Sequence, residues 1–410
     1  MRVLIFGINF SPELTGIGKY SGELGAYFAE CGDEVEVITA PPYYPQWQVQ
    51  LPYNNGWSKE NLSGVTVLRC PLYVPREQTG IRRIMHEITF IASSLRWWVP
   101  RMFRQYDVLI SISPPFHLPF LPLIHKFFHG TPVVNHIQDL QVDAARELGL
   151  IRGRSVLRVL EGVERWLLSK VNLVSTISAG MALRIREKNV PSKKQLFFPN
   201  WVDNRVVYPV AKNDSLRKRF GISNETKVIL YAGNLGQKQG LELIPSLAKR
   251  FETLDGVDVL FLIVGSGGAK QMLIDLVATN SVSNVQFEGL QPLDDLAAML
   301  AVADVHLVLQ KKAAADLVMP SKLTNIVASG GHALVTAEPG TTLHNVLVSE
   351  KIGTLAEPEN EEDIFNKIRD ILSGNLCSDI QGLSAFAKTL DRDIILNQFR
   401  ADMLELSSLK

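Results

Sequence analysis

Cysteine is scarce in this 410-residue chain, and Cys31, Cys70 and Cys377 stand far apart. An odd, scattered set offers no disulfide framework and no Cys-x-x-Cys pair, which points to a reducing compartment. Neither sign of charge is in excess, with 42 Lys and Arg against 42 Asp and Glu. A general polyanion binder shows a basic surplus, so nucleic acid is not an expected partner. Long apolar runs are few. The opening Met1–Phe10 segment is too short for a signal peptide, lacks a small-residue cleavage site, and reads as a first buried strand. The apolar stretch Val108–His125, which carries no formal charge, approaches transmembrane length but holds Pro114, Pro115, Pro119 and Pro122. Clustered prolines break a spanning helix, so it reads as a strand, a Pro-rich loop and a helix. Metal motifs are missing too: Asp391-Arg-Asp393 sits in a surface-helix pattern, and His125 and His129 have no third ligand. No metal is expected. A nucleophile elbow and a P-loop are equally absent.

What is present is a regular alternation. Short apolar runs begin at Val3, Val35, Val65, Val108, Pro132 and Leu173, then again at Val228, Val257, Val285, Val305, Ala333 and, weakly, Thr354. Each is separated from the next by a segment of helical length. Near-continuous apolar strands between helices mean parallel sheets covered on both faces. Twelve are too many for one small sheet, and the pattern restarts near Lys227 after the polar stretch 212–226. With 46% apolar residues there is material for two cores. The expected architecture is α/β, two doubly wound domains over 1–205 and 206–390, with a C-terminal helix over 391–410 that packs back on the first. In such sheets ligands bind beyond the carboxyl ends of the strands, which directs attention to the following loops and to a cleft between the domains.

Three of those loops suit a phosphate. After the first strand, Gly16 and Gly18 lead into a helix, although the spacing Gly16, Gly18, Gly22 is not a dinucleotide fingerprint and no acid follows the second strand. In the second half, Gly233-Asn234 and Lys238 precede Gly240 and a helix start, and Asp316 leads through Pro320 to Ser321, Lys322 and Asn325 at another helix start; separately, Gly265 to Gly268 make a tight turn. Glycine lets a backbone approach a ligand, helix N-termini offer free N–H groups, and lysine supplies the counter-charge. Glycine turns of purely local use would look the same. After the fifth strand, Asp139 is placed where a carboxylate meets a ligand hydroxyl, whereas His136 reads as a core histidine inside the strand.

The zero net charge hides an asymmetry. Residues 1–205 carry 23 Lys and Arg against 17 acids, and 206–410 carry 19 against 25. The basic excess is sharpest between Arg76 and Arg104, where six arginines interleave with Ile84, Ile88, Trp97, Trp98 and Phe103. That is the composition of a helix in a lipid interface; an ordinary core helix with a basic solvated face reads similarly.

The chain resembles the retaining GT-B glycosyltransferases of family 4, nearest those of colanic acid biosynthesis. The resemblance rests on the opening from Gly7 to Tyr20, the Ala40–Trp47 and Cys70–Pro75 segments, His136-Ile-Gln-Asp139, Phe198–Trp201, Gly240-Leu-Glu242 and Pro320–Asn325. It implies a GT-B fold of two Rossmann-like domains facing each other across a cleft. The donor, a nucleotide diphosphate sugar, is implied to lie in the second domain on Gly233, Asn234, Lys238, Ser321 and Lys322, with Gly265 near the nucleoside. Gly16 and Gly18 would close over the phosphates, and Asp139 would lie near the transferred sugar. The Pro41–Trp47 loop and residues 81–104 would face an undecaprenyl-diphosphate-linked acceptor at the inner face of the cytoplasmic membrane. Many members carry a Glu-x7-Glu pair where this chain has Leu317 and Asn325, with Asp316 one residue away. That departure leaves a non-catalytic nucleotide-sugar-binding subunit as the alternative. An epimerase or dehydrogenase would need the missing dinucleotide fingerprint.

Overall fold

The computed structural model describes residues 1–13, 16–76, 80–147, 153–236, 239–254, 256–312 and 321–408. The chain divides into two compact units, residues 1–199 with 395–410, and residues 200–394.

The first unit contains strands β1 (Arg2–Gly7), β2 (Glu34–Thr39), β3 (Ser58–Leu62), β4 (Val65–Arg69), β5 (Val108–Ser113), β6 (Val133–Ile137), β7 (Leu173–Thr176) and β8 (Gln195–Phe197). They form one sheet in the order β3-β4-β2-β1-β5-β6-β7-β8. Every neighbouring pair is parallel except β3 with β4. Its helices are α1 (Gly16–Glu30), α2 (Gly80–Arg101), α3 (Phe120–His129), α4 (Gln141–Glu147), α5 (Arg154–Lys170) and α6 (Ala179–Glu187). The chain moves one way across the sheet from β1 to β2, and the other way from β4 through β5, β6 and β7 to β8. Right-handed crossovers therefore put α1 on one face and α2, α3, α5 and α6 on the other. Val108–His125 resolves into β5, a proline loop and the start of α3.

The second unit is a six-stranded parallel sheet, β11-β10-β9-β12-β13-β14, from β9 (Lys227–Asn234), β10 (Val259–Ser266), β11 (Val285–Glu288), β12 (Val305–Val308), β13 (Ala333–Thr336) and β14 (Thr354–Ala356). Helices α7 (Ile244–Glu252), α8 (Lys270–Thr279), α9 (Leu296–Leu300), α10 (Ser321–Ala328), α11 (Thr342–Glu350), α12 (Glu361–Leu372) and α13 (Ile380–Thr389) cover it. Two apolar cores lie in this unit, one around Leu230, Leu262 and Val335 and one around Tyr231, Phe261 and Leu307. Adjacent strand residues point to opposite faces, so Leu230 and Tyr231 belong to different cores. The acidic run 357–363 reaches into the first turn of α12, where Asn360 caps the Asp363 N–H and carboxylates complement the dipole.

The final helix, α14 (Arg392–Ser408), puts Phe399 against Phe198 and Phe28 in the first unit.

All twelve expected strands are present, and two more were not foreseen. β3 reads Ser-Lys-Glu-Asn-Leu, is mostly exposed, and has no apolar run to detect. β8 is three residues long. Both are edge strands, where one side of the ladder faces solvent and composition is free to be polar. No helix among the described residues is long and apolar enough to cross a membrane.

Candidate active site

In the second unit the ends of β9 and β10 are paired in register, Gly233 beside Gly265 and Asn234 beside Ser266. A Cβ on Gly265 would lie 2.0 Å from the Gly233 carbonyl oxygen, and one on Gly267 2.4 Å from that of Leu235. These two glycines are thus accounted for by two backbones closing on each other. Gly233 differs: its φ is 137° and its Cβ direction is open. The Leu235 N–H donates to Ser266 O at 2.9 Å and the Ala269 N–H to Leu235 O at 2.8 Å, which laces the turn shut. Below it, the Tyr231 hydroxyl donates to Asn234 O at 2.8 Å.

Over the Tyr231 ring, 3.7 Å from its centroid, sits the ammonium of Lys322, the second residue of α10. This nitrogen is buried and has no hydrogen-bond partner among the described residues. Burial pushes its pKa down to about 7. One turn along, the Asn325 Oδ1 is also buried without a partner, as is the Ser266 hydroxyl. Neighbouring lysines are different: Lys311 pairs with Glu242, and Lys312 lies 3.4 Å from Glu338 and 3.1 Å from Glu357. A buried, unpaired cation is expensive unless a ligand brings the anion, which marks Lys322 as a functional candidate. Gly240, at φ 66°, opens the helical turn leading into α7. Ser321 opens α10. Lys238 and Asp316 lie outside the described residues.

The first unit gathers polar groups at the carboxyl ends of its strands. Glu13, in the loop after β1, is buried and accepts from the Tyr43 and Tyr44 N–H groups and from Asn9 Nδ2, all at 3.0 Å. Burial raises its carboxyl to about 7 against these hydrogen bonds. Gly18, in the first turn of α1, packs directly on it: a Cβ there would be 2.4 Å from Glu13 Oε2. Gly16 has φ 63°, a left-handed conformation that suits glycine. Arg69, fully buried at the end of β4, donates to Ala40 O at 2.9 Å and to Ser11 O at 2.8 Å. Glu13 and Arg69 together hold the loops after β1 and β2.

Next to them, the Tyr43 hydroxyl meets His86 Nε2 at 3.0 Å, and His86 Nδ1 faces Tyr73 O at 2.6 Å. A carbonyl only accepts, so Nδ1 carries the proton and Nε2 receives the tyrosine's. Burial holds this ring neutral, near pKa 4. Glu87 takes a hydrogen bond from Gln141 Nε2 at 2.6 Å, and His117 Nδ1 lies 3.9 Å from its other oxygen. The His117 Nε2 is buried with no partner among the described residues, and burial lowers that ring to about 4. Asp139 follows β6, and its charge bears on Tyr44. His136 is a satisfied core residue, with Ser175 Oγ at 2.9 Å and Gln138 Nε2 at 2.8 Å on its two nitrogens. His125 and His129 bind the carbonyls of Arg104 and Met102. Among the described residues no group of three His, Cys, Asp or Glu is placed to hold a metal ion.

Residues 15–201 match the glycosyl transferase 4-like domain model and residues 212–382 the glycosyl transferases group 1 model. The chain is 41% identical over 416 residues, 98% of its length and 100% of the relative's, to WcaI of Escherichia coli K12, named as a colanic acid biosynthesis glycosyl transferase. This chain belongs to the family 4 glycosyltransferases. A second relative, WbjE of Pseudomonas aeruginosa, named as a glycosyltransferase, is 23% identical over 67% of this chain and 68% of its own. The glycosyltransferase superposes on sucrose-phosphate synthase from Thermosynechococcus elongatus with a TM-score of 0.79 at 15% identity, covering 100% of both chains. On Anabaena HepE in complex with UDP the TM-score is 0.71 at 13% identity, over 99% of this chain and 100% of that one. Those likenesses establish the GT-B fold.

Within this glycosyltransferase, sequence reading overlooked Glu13, Arg69, His86, Glu87 and His117. The available signals were faint: an acid between Pro12 and a glycine loop, and a Glu87 among apolar residues of a helix otherwise rich in arginine.

Proposed function

We propose that this glycosyltransferase moves a hexose or deoxyhexose from a nucleotide diphosphate sugar to an undecaprenyl-diphosphate-linked oligosaccharide during exopolysaccharide synthesis. The pathway class follows the likeness to WcaI, the acceptor class rests on the family resemblance of the sequence, and the nucleotide class is supported by HepE, whose structure holds UDP. One observation carries the donor assignment: the Lys322 ammonium is buried with no anion beside it among the described residues. A diphosphate supplies that anion, and the first-turn N–H groups of α10 add to it. Gly233 offers the open backbone approach, Asn234 and Asn325 offer amides, and Lys238, Asp316 and Ser321 are assigned to the donor on sequence alone.

In the reaction, the bond between the anomeric carbon and the diphosphate oxygen breaks. A bond to the acceptor hydroxyl forms on the same face, and the hydroxyl's proton passes to the departing phosphate. Charge grows on the diphosphate as the bond lengthens, so a fixed ammonium and fixed N–H groups stabilise the transition state more than the ground state. Resident metal is not required by this scheme. Asp139 is assigned to the transferred sugar, and Gly16 and Gly18 to the phosphates, on the sequence resemblance alone.

The lipid-linked acceptor implies work at the cytoplasmic face of the inner membrane. Residues 81–104 support this: on α2 the side chains of Ile84, Met85, Ile88, Leu95 and Val99, followed by Phe103, form an exposed apolar line beside Arg83 and Arg96.

A thermal-shift screen of GDP, UDP and dTDP and their sugars tests the donor assignment, because a ligand of the native state raises the melting temperature by mass action. One nucleotide series should stabilise wild type and leave Lys322→Met unmoved. A Lys322→Met enzyme with undiminished affinity and turnover overturns it.

A further inference from the structure

The geometry points to a second membrane-contacting helix: we propose that α5, with α3 beside it, joins α2 in one three-helix face that lies flat on an anionic bilayer. This deepens the membrane reading above and rests on it.

The first observation is exposure. Val156, Val159, Val163 and Trp166 recur at three- and four-residue steps along α5, and all are exposed, Val159 at 64%. Such spacing builds one stripe on a helix, and a stripe of this kind normally faces a core. Here Leu167, Leu168 and Glu164 face inward instead, and the valine–tryptophan stripe faces out. On α3, Phe127 and Phe128 are exposed at 83% and 69%.

The second is placement. Right-handed crossovers put α2, α3 and α5 on one face of one sheet, each running against the parallel strands it joins, so the stripes of α2 and α5 lie on the same face with α3 between them. Direct bonds tie the three together. His125 and His129 of α3 bind the carbonyls of Arg104 and Met102, just past α2, and Lys126 Nζ donates to the carbonyl of Lys170 at the end of α5 at 2.8 Å. Phe103, Phe127, Phe128 and Trp166 thereby fall near the same ends of the three helices.

The third is charge. The three helices contain only three acids, Glu87, Glu161 and Glu164. Glu87 and Glu164 are buried, and Glu161 is half-buried and 3.2 Å from Arg146. The exposed charges are Arg83, Arg96, Arg154, Arg158, Arg165 and Lys170. A face that exposes apolar side chains and cations, and no acid among its described residues, complements anionic headgroups above a hydrocarbon layer. A second copy of the chain would set cation against cation.

Binding of the full-length protein to vesicles of phosphatidylcholine, with and without phosphatidylglycerol, tests this. Three proteins are compared: wild type, an α5 variant (Val159→Ser with Val163→Ser and Trp166→Ser), and an α2 variant (Ile84→Ser with Ile88→Ser). The altered residues are exposed, and thermal melts should overlay. Wild type should bind phosphatidylglycerol vesicles, weaken in high salt, and lose about tenfold in affinity in each variant. An α5 variant that binds like wild type while the α2 variant does not overturns the three-helix face and leaves the membrane reading standing. Wild type that binds neither vesicle defeats both. A wild-type dimer that the α5 variant renders monomeric, with vesicle binding unchanged, assigns the stripe to self-association and also overturns the proposal.

Discussion

The Lys322 ammonium lies 3.7 Å from the centroid of the Tyr231 ring and has no hydrogen-bond partner among the described residues. The ring face offers a weak attraction, worth about 0.5–2 kcal/mol, which is less than the cost of burying a cation. On the proposed donor assignment, the missing anion arrives with the substrate. Replacing this lysine by methionine should separate two properties. Nucleotide affinity should fall by about 2–4 kcal/mol, measured by calorimetry. Melting temperature without ligand should rise, by about 1–3 kcal/mol of stability. The folded pKa, near 7, is below the ordinary value of 10.5. Unfolded chains thus bind more protons between those values, and wild-type stability rises with pH across that window. The advantage of the variant should be full below pH 7 and fade toward pH 10.5.

If the proposed donor assignment holds, burial of the lysine also makes nucleotide binding proton-linked. A diphosphate raises the Lys322 pKa again, so at pH 8 binding should take up close to one proton, and at pH 6 almost none from this group. Titrations in buffers of different ionisation enthalpy measure that number. Equal observed enthalpies in all buffers at pH 8 would falsify the linkage.

Gly18 and Glu13 make a tight pair in the first unit, since a Cβ on Gly18 would meet both Glu13 Oε2 at 2.4 Å and Glu13 Cβ at 2.6 Å. Gly18→Ala should cost about 1–3 kcal/mol in denaturant unfolding, as overpacking does. Glu13→Gly removes both obstacles but frees the Tyr43 and Tyr44 N–H groups, each of which loses a 3.0 Å bond. The double variant should be less unstable than the sum of the two, with a coupling of about 1 kcal/mol or more. Simple additivity would show that the contact relaxes freely.

The carboxyl of Glu13 has its own pH signature. Burial raises it to about 7 from 4.5. A raised acid contributes stability that is complete below pH 4.5 and is lost as pH rises through 7, because the folded state holds the proton longer. Glu13→Gln stays neutral and keeps an acceptor oxygen for Tyr43 and Tyr44. Its melting temperature relative to wild type should therefore climb between pH 5 and pH 8. A flat difference would mean that the hydrogen bonds, not burial, govern this group.

How far the sequence carried depended on whether a feature repeats. Strands such as Val108–Ser113 announce themselves because six successive buried positions demand six successive apolar or small residues. The helix start at Ser321 and Lys322 was legible because a proline, a serine and a lysine together mark one. Glu13 and Arg69 were not, since each is a single charged residue whose backbone partners, 29 to 58 positions away, are chosen by the fold. At Gly265, read as part of a ligand turn, the structure adds a local cause for the glycine, the Gly233 carbonyl beside it. On α5, Val156, Val159, Val163 and Trp166 have the spacing of a core face, and only the fold reveals that they point outward.

Phe399 of α14 stacks on Phe198 at 3.8 Å between centroids with planes 12° apart, and faces Phe28 at 6.3 Å. All three rings are buried. Beside them Arg400 Nε donates to Asp33 at 2.6 Å, and Asp33 also takes the N-terminal ammonium at 2.6 Å. The last helix is thus part of the first unit's core. Phe399→Ala should cost about 3–5 kcal/mol, the usual toll for removing a buried ring, and Phe399→Leu less than half of that. Ending the chain after residue 394 should lower the melting of the first unit while the transition of residues 200–394 stays in place, two steps replacing one in calorimetry. A truncated chain that melts like wild type would show that the aromatic stack contributes shape without stability.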